Sequence, residues 1–276
     1  MIEHPADRGM TRDELGAGMT RETMGGAKID CNVGFGRWPF ARFAEDAPAK
    51  LDRLLADNGI EAALVSSIEA ILYEEPEEWN RDLARRLRGY PRLLPVPVVN
   101  PRVRSAGSIV AKPDLKAVKL IPNYHVYSLA DDRTVELCGA LADRGVPVLV
   151  QMRVEDERSH YELLKVPGVP VEDVIALTRG VPNLAVVALG AYFAEAIPLA
   201  QAGVYVDISF AETLDTLGQL CRKAPAERIL FGSHAPWMYP RSAAAKLALA
   251  TITEEQREAI RWKTASRLFG ITRSGC

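Results

Sequence analysis

The residues of this sequence that could do chemistry are polar ones that interrupt or follow otherwise apolar runs. Asp30 and Asn32 lie in AKIDCNVGFG, with Gly34 two positions further on. Lys119 lies in LKAVKLI, and Asn123, Tyr124 and His125 follow that run. Gln151 lies in VPVLVQM with Arg153 just after it, and Asp207 and Ser209 lie in VYVDIS. Ser233, His234 and Trp237 come at and after the end of RILFGS. Side chains of these types move protons and hold charge. An imidazole of ordinary pKa, about 6.5, exchanges protons near neutrality. A lysine or arginine enclosed by a fold is costly unless paired, so an anionic ligand is a natural partner. Amides such as Asn32 and Gln151 can stabilise an oxyanion.

These groups need elements to bring them together. β-Branched apolar runs at 29–33, 61–67, 93–100, 115–121, 146–152, 184–189, 204–209 and 228–233 read as strands buried on both faces. The run at 93–100 contains Pro95 and Pro97, which is unusual for a central strand. Helical patterns follow at 47–57, 75–88, 105–111, 133–143, 172–179, 194–202 and 214–223. A last helix starts at a Thr253/Gln256 capping box and stops at Gly270. Eight strands, each followed by a helix, predict an α/β fold, a (β/α)8 TIM barrel over 27–276 as one domain, preceded by an arm at 1–26. No Gly-rich phosphate loop follows the first strand, which argues against a doubly wound open sheet. In such a barrel the site lies at the C-terminal strand ends, where the polar residues above fall. Period-two spacing puts Asp30, Asn32 and Gly34 on one strand face and Cys31 on the other, packed against helices and not a nucleophile.

The 276 residues carry a net charge of −2, which gives no electrostatic call for nucleic acid. No apolar run approaches the roughly 20 residues that span a bilayer. The arm lacks a signal-peptide core and reads as a pad against a neighbouring subunit, so a homo-oligomer is allowed. Four cysteines without metal or disulfide spacing point to a reducing cytoplasm.

From 28 to 271 the order of segments resembles the amidohydrolase superfamily, in its decarboxylase- and lactonase-like branch. IDCNVGFG stands where that family has Asp-x-His-x-His, LKAVKLIP resembles its Gly-Val/Phe-Lys strand, VPVLVQM a strand that ends in His, and RILFGSHAPW its closing Gly-Ser-Asp-x-Pro; LFGI after the last helix is also typical. The resemblance implies the same barrel and a small-molecule substrate. It also implies a metal held by histidines of strands one, five and six and an aspartate of strand eight. Here those positions read Asn32, Gly34, Gln151, Leu189 or Gly190, and His234. A catalytic zinc takes three good protein ligands at about 2.0–2.2 Å, and this set supplies one. The expectation is therefore a site with no metal and no cofactor, with His234 in place of the water-activating aspartate.

Within that site His234 reads as general base or acid, and His125 as its acid–base partner or part of a solvated loop. Asp30 orients His234, acts as a base, or caps the turn. Lys119 and Arg153 hold an anionic substrate, or pair internally as Lys119 with Asp30 and Arg153 with Asp207. Asn32, Asn123, Tyr124, Gln151, Asp207, Ser233 and Trp237 complete a substrate-binding set; Trp38, Phe40 and Trp237 wall a pocket or simply pack. Three functions fit. The first is metal-independent hydrolysis of a lactone, amide or related bond in a carboxylated or carbonyl-bearing molecule. The second is a non-hydrolytic decarboxylation, isomerisation or cyclisation. The third is a barrel that binds a ligand or partner without catalysis. On the hydrolytic reading, His234→Ala abolishes turnover, chelation leaves it unchanged, and the product carries solvent oxygen.

Overall fold

The β-branched runs become the staves of a parallel barrel. The computed structural model describes residues 26–163 and 165–272, so nearly all of the expected arm lies outside the described residues. The strands are β1 (Lys28–Phe35), β2 (Ile60–Ser67), β3 (Leu93–Pro95), β4 (Val98–Val99), β5 (Val118–Leu120), β6 (Val148–Gln151), β7 (Val186–Leu189), β8 (Tyr205–Asp207) and β9 (Ile229–Leu230). Ladders run β1-β2-β3 and β4-β5-β6-β7-β8-β9, every pair parallel. Two seams join these ladders into a ring. At one, Cys31 N donates to Phe231 O at 3.0 Å, His234 N to Asn32 O at 2.8 Å and Gly34 N to Ala235 O at 2.7 Å, which closes the end of the chain onto β1.

The other seam is the proline-interrupted third stave. Proline has no N–H to give to a ladder, so the strand splits into β3 and β4. Val96 N still donates to Val65 O at 2.8 Å, and Lys119 N to Pro97 O at 2.9 Å. Asn80, on α2 (Glu77–Arg86), supplies what the prolines remove. Its Nδ2 donates to Val98 O at 2.7 Å and its Oδ1 accepts from Val98 N at 2.9 Å, a side-chain imitation of a strand pair.

Helices clothe the barrel: α1 (Pro48–Asp57), α2, α3 (Pro122–His125), α4 (Asp132–Asp143), α5 (Val171–Gly180), α6 (Phe193–Gln201), α7 (Thr216–Cys221), α8 (Pro240–Leu249), α9 (Glu254–Glu258) and α10 (Thr264–Phe269). Their apolar stripes pack on the outward strand residues, for example Leu51 and Leu55 of α1 with Val33, Phe35 and Val65. Inward residues Leu64, Leu149, Val187 and Leu230 form a second cluster, with Phe269 and Ile271 from the chain's end. The helix expected at 105–111 is only a 3-10 turn, Ala106–Ile109, and that at 214–223 shrinks to α7. The loop expected at 123–125 is the single turn α3. The helix α8 was not foreseen; its alanine-rich sequence carries little apolar contrast. The Thr253/Gln256 capping box forms as expected, and a π-helical turn over Ala259–Lys263 separates α9 from α10.

Removing Asn80 strands both a buried N–H and a buried C=O. Asn80→Ala is expected to destabilise the fold by about 2–4 kcal/mol, and Asn80→Asp, which sets a buried carboxylate against the Val98 carbonyl, to lose at least as much. Urea unfolding checks this, and a near-neutral Asn80→Ala would contradict it.

Candidate active site

The first strand does not keep period two. Its register against β2 shifts between Asp30 and Val33. As a result Ile29 and Cys31 join the inward cluster, while Val33 and Phe35 face the helices. Cys31 is therefore barrel lining, not strand-to-helix packing, and burial keeps its thiol well above the usual range. Asp30 sits in the seam that closes the barrel. Its Oδ1 accepts from Asn32 N and Ser233 N, both at 3.0 Å, and its Oδ2 has no hydrogen-bond partner. Burial pushes its carboxyl up to about 7, against the pull of those donors.

Past the bulge, Asn32 points across the barrel. Its Nδ2 donates to Asp207 Oδ2 at 2.9 Å. Asp207 also accepts from Gly190 N at 2.7 Å and Ser209 Oγ at 2.7 Å, and burial still raises its pKa. Gly232 makes room, since a Cβ there would lie 2.5 Å from Asp207 Oδ2. Lys119 approaches from β5, with its Nζ 3.1 Å from Ser66 Oγ and 3.5 Å from Asn32 Oδ1. Burial lowers its pKa to about 8, although the Asp207 charge works the other way. Lys119 thus feels Asp207 and Asp30 electrostatically, yet its hydrogen bonds go to neutral oxygens. Sequence reasoning missed Ser66; its signal was the alternation Ala62, Leu64, Ser66 along the inward face of β2.

His234 has φ +57°, a left-handed backbone uncommon for a residue with a side chain. Its Nε2 lies 2.6 Å from the Val154 carbonyl, an acceptor, so that nitrogen carries the proton. Burial pushes its pKa down to about 3, and the Lys119 charge pushes the same way. It is a neutral ring and a weak base, which takes away most of the general-base role expected of it. The ring stacks on Trp237 at 4.9 Å and meets Phe210 edge-on at 5.2 Å. Trp237 in turn touches Trp38 at 5.7 Å and Phe43 at 5.3 Å, and Trp38 touches Tyr124 at 6.2 Å. This aromatic layer forms with Ile68, Ile121 and Val154 over the strand ends. Gly34 admits it, since a Cβ there would lie 2.5 Å from the Trp237 ring. Beneath the layer Asp30, Asn32, Lys119, Gln151, Asp207 and His234 are all 6% exposed or less. A cleft of about 230 Å³ runs alongside, touching Ser209, Ser233 and Trp237.

Other expected site residues are taken up by the protein. Arg153 is paired neither with a free ligand position nor with Asp207. Its NH1 and NH2 grip both oxygens of Glu195 at 2.6 and 2.7 Å, NH1 also reaches Gly190 O at 2.6 Å, and the guanidinium lies over the Tyr192 ring at 3.8 Å. Glu195 closes the N-terminal capping box of α6, a pattern visible only once the helix start is known. Gln151 Nε2 donates to Arg153 O at 2.6 Å, leaving Oε1 without a partner. Asn123 Nδ2 donates to Met152 O and Pro167 O. His125 Nε2 lies 3.0 Å from Ala70 O, and its ring neighbours Tyr127. No contact joins it to His234 among the described residues, so the expected pair of histidines does not form. Ser233 Oγ accepts from Ala235 N at 3.2 Å.

A family model described as "Amidohydrolase" matches residues 29–271. No curated protein matches in sequence. Among solved structures, a 2,6-dihydroxybenzoate decarboxylase complexed with 2,6-dihydroxybenzoate is similar at TM-score 0.71 and 14% identity, covering 89% of this chain and 100% of that one. A dihydroxybenzoic acid decarboxylase from a Polaromonas species, with bound manganese and 2-nitroresorcinol, gives 0.70 and 15% over 90% and 98%. A 5-carboxyvanillate decarboxylase from Novosphingobium aromaticivorans, complexed with manganese and 4-hydroxy-3-methoxy-5-nitrobenzoic acid, gives 0.69 and 12% over 90% and 97%.

The residues present do not suit such an ion. Manganese takes oxygen and imidazole donors in near-octahedral array. Among the described residues no three His, Cys, Asp or Glu side chains converge. Position 34 has no side chain and its space holds an indole, His234 turns Nε2 to a carbonyl, and the Lys119 amine lies against Asn32 Oδ1.

The titrations at this centre oppose one another. Between about pH 4 and pH 7 folded Asp30 keeps a proton that the unfolded chain has lost, so its contribution to stability falls as pH rises. His234, neutral in the fold down to about pH 3, has the opposite sign, costing stability as pH falls below about 6.5. Asp30→Asn removes the first effect alone. Relative to the wild type it is expected to gain on the order of 4 kcal/mol between pH 4 and pH 7. Denaturant titrations across that range check it, and parallel pH profiles for the two proteins would refute it.

Proposed function

This chain belongs to the amidohydrolase family, and on that premise we propose that it is a lyase that decarboxylates a small organic acid without a metal. The observation that carries this reading is the closure of the polar centre beneath the Trp38–Trp237 layer. Hydrolysis consumes water and needs a base to activate it. The imidazole at the strand-eight end is too weakly basic for that, and the layer keeps bulk solvent out. Decarboxylation needs neither. It turns a carboxylate into neutral CO2 and spreads charge in the transition state, so an enclosed site favours it. The carbon left behind needs a proton, and the Asp30 carboxyl, near 7 with one free oxygen, can give it. Lys119 presents the charge that draws the acid into the centre, with Asn32 Oδ1 and Ser66 Oγ positioning its Nζ. The solved structures similar in fold include decarboxylases of aromatic acids, which agrees with this reading. Substrate reaches the centre by displacement of the Trp237 indole, which borders the adjacent cleft.

A second reading, a barrel that binds an acid without transforming it, draws on the same closure. Reactions with a panel of small aromatic and keto acids in heavy-oxygen, deuterated water separate these readings. The expected result is CO2 release with deuterium on the product carbon. Organic product that gains solvent oxygen without CO2 release restores the hydrolytic reading, and tight binding with no product favours the second. Prior dialysis against a chelator is expected to leave the rate unchanged; lost activity that returns with a divalent ion would defeat the metal-free part.

A further inference from the structure

Loss of CO2 leaves an electron pair on carbon, and something must accept it. We propose that Lys119 is the acceptor's source: its amine forms an imine with the carbonyl of a small β-keto acid held beneath the Trp237 layer. This deepens the lyase reading and rests on it for the decarboxylation step, though not for the imine itself.

The contacts around Nζ leave an ammonium one acceptor short. An ammonium has three N–H donors, and an uncharged amine has two and a lone pair. Nζ meets two acceptors, Ser66 Oγ at 3.1 Å and Asn32 Oδ1 at 3.5 Å. Among the described residues no carboxylate oxygen lies within ion-pair distance of it. Asn32 is held in register by its other end, which donates to Asp207 Oδ2, so its oxygen faces Lys119. Leu64, Ala117 and Leu149 are among the inward apolar residues of the barrel, and Asp207 and Asp30 act on Nζ only through their charge. Burial that lowers the amine to about 8 leaves roughly one molecule in ten uncharged at pH 7. Buried amines of this kind are suited to carbonyl attack.

The steps balance without a further reagent. The Nζ lone pair attacks the keto carbon, the carbonyl oxygen takes up protons and leaves as water, and a C=N iminium remains. The bond from the adjacent carbon to the carboxylate breaks. CO2 departs, and the bonding pair forms the enamine C=C while nitrogen recovers its lone pair. That carbon takes the proton of the Asp30 carboxyl. The water released at imine formation, kept beneath the layer, then cleaves the imine, releasing the ketone and the amine. The sum is keto-acid carboxylate plus a proton giving ketone plus CO2.

Borohydride tests this directly. The wild type, Trp237→Ala (to open the layer) and Lys119→Met are each incubated with acetoacetate, oxaloacetate or hydroxyacetone, then reduced and mapped by peptide mass spectrometry. Circular dichroism confirms that the variants fold. The expected result is a reduced adduct on Lys119 in the first two proteins, absent in Lys119→Met, and rising about tenfold between pH 7 and pH 9 as the amine loses its proton. Absence of a Lys119 adduct with all three probes, in both the wild type and Trp237→Ala, overturns the proposal. CO2 release that survives Lys119→Met overturns it too, while leaving the lyase reading intact. An adduct on Lys119 without CO2 from any acid supports the imine and retires the lyase reading instead.

Discussion

The hydrogen bond from Asn32 Nδ2 to Asp207 Oδ2 spans the barrel and joins residues 175 apart in sequence. Much of the centre depends on it. A fully buried carboxylate is expensive unless its lone pairs are filled. Asp207 fills them with an amide from β1, the backbone N–H of Gly190 and the hydroxyl of Ser209. Those three donors come from three separate staves, so the arrangement exists only when the barrel is closed. It also orients Asn32, which orients the approach to Lys119. One polar contact therefore sets both the negative and the positive pole of the centre.

The aromatic layer is the second constraint. Gly34 has no side chain, and the Trp237 ring fills the space that one would take. The same indole lies flat on His234, whose Nε2 is bound to a backbone carbonyl. The imidazole thereby becomes part of the wall. Its low basicity follows from burial and from the Lys119 charge. A barrel shared in outline with manganese-bearing decarboxylases thus carries a different centre, built of an amine, an amide and two carboxyls.

Arg153 shows how a charge suited to a substrate can serve the scaffold. Its bidentate grip on Glu195 fixes the start of α6 against the end of β6, and its bond to Gly190 O steadies the turn whose N–H serves Asp207. A buried ion pair is weak evidence for stability in itself, but breaking one leaves a stranded charge. The pair therefore links the frame to the centre mechanically.

The barrel was legible in the sequence, because eight β-branched runs with intervening amphipathic patterns have few other ways to bury both strand faces. Asp30, Asn32, Lys119, Asp207 and His234 were legible as lining for the same reason: each is a polar residue in or just after an apolar run, and all are buried together. What they do there was not legible. Strand periodicity placed Asp30 inward and Cys31 outward, whereas Cys31 joins the inward cluster with Ile29, and Asp30 between them sits in the closing seam. A bulge costs one residue and leaves no compositional mark. Sequence showed that Arg153 needed a partner, yet only the packing of α6 decided that the partner was Glu195. It likewise showed a histidine at the closing strand, while only burial beneath the aromatic layer and the nearby Lys119 charge decided that it would be neutral. Residue types and their periodicity determine which groups enter a barrel. Charge state and partner depend on distances across it, and these are settled only when distant staves meet.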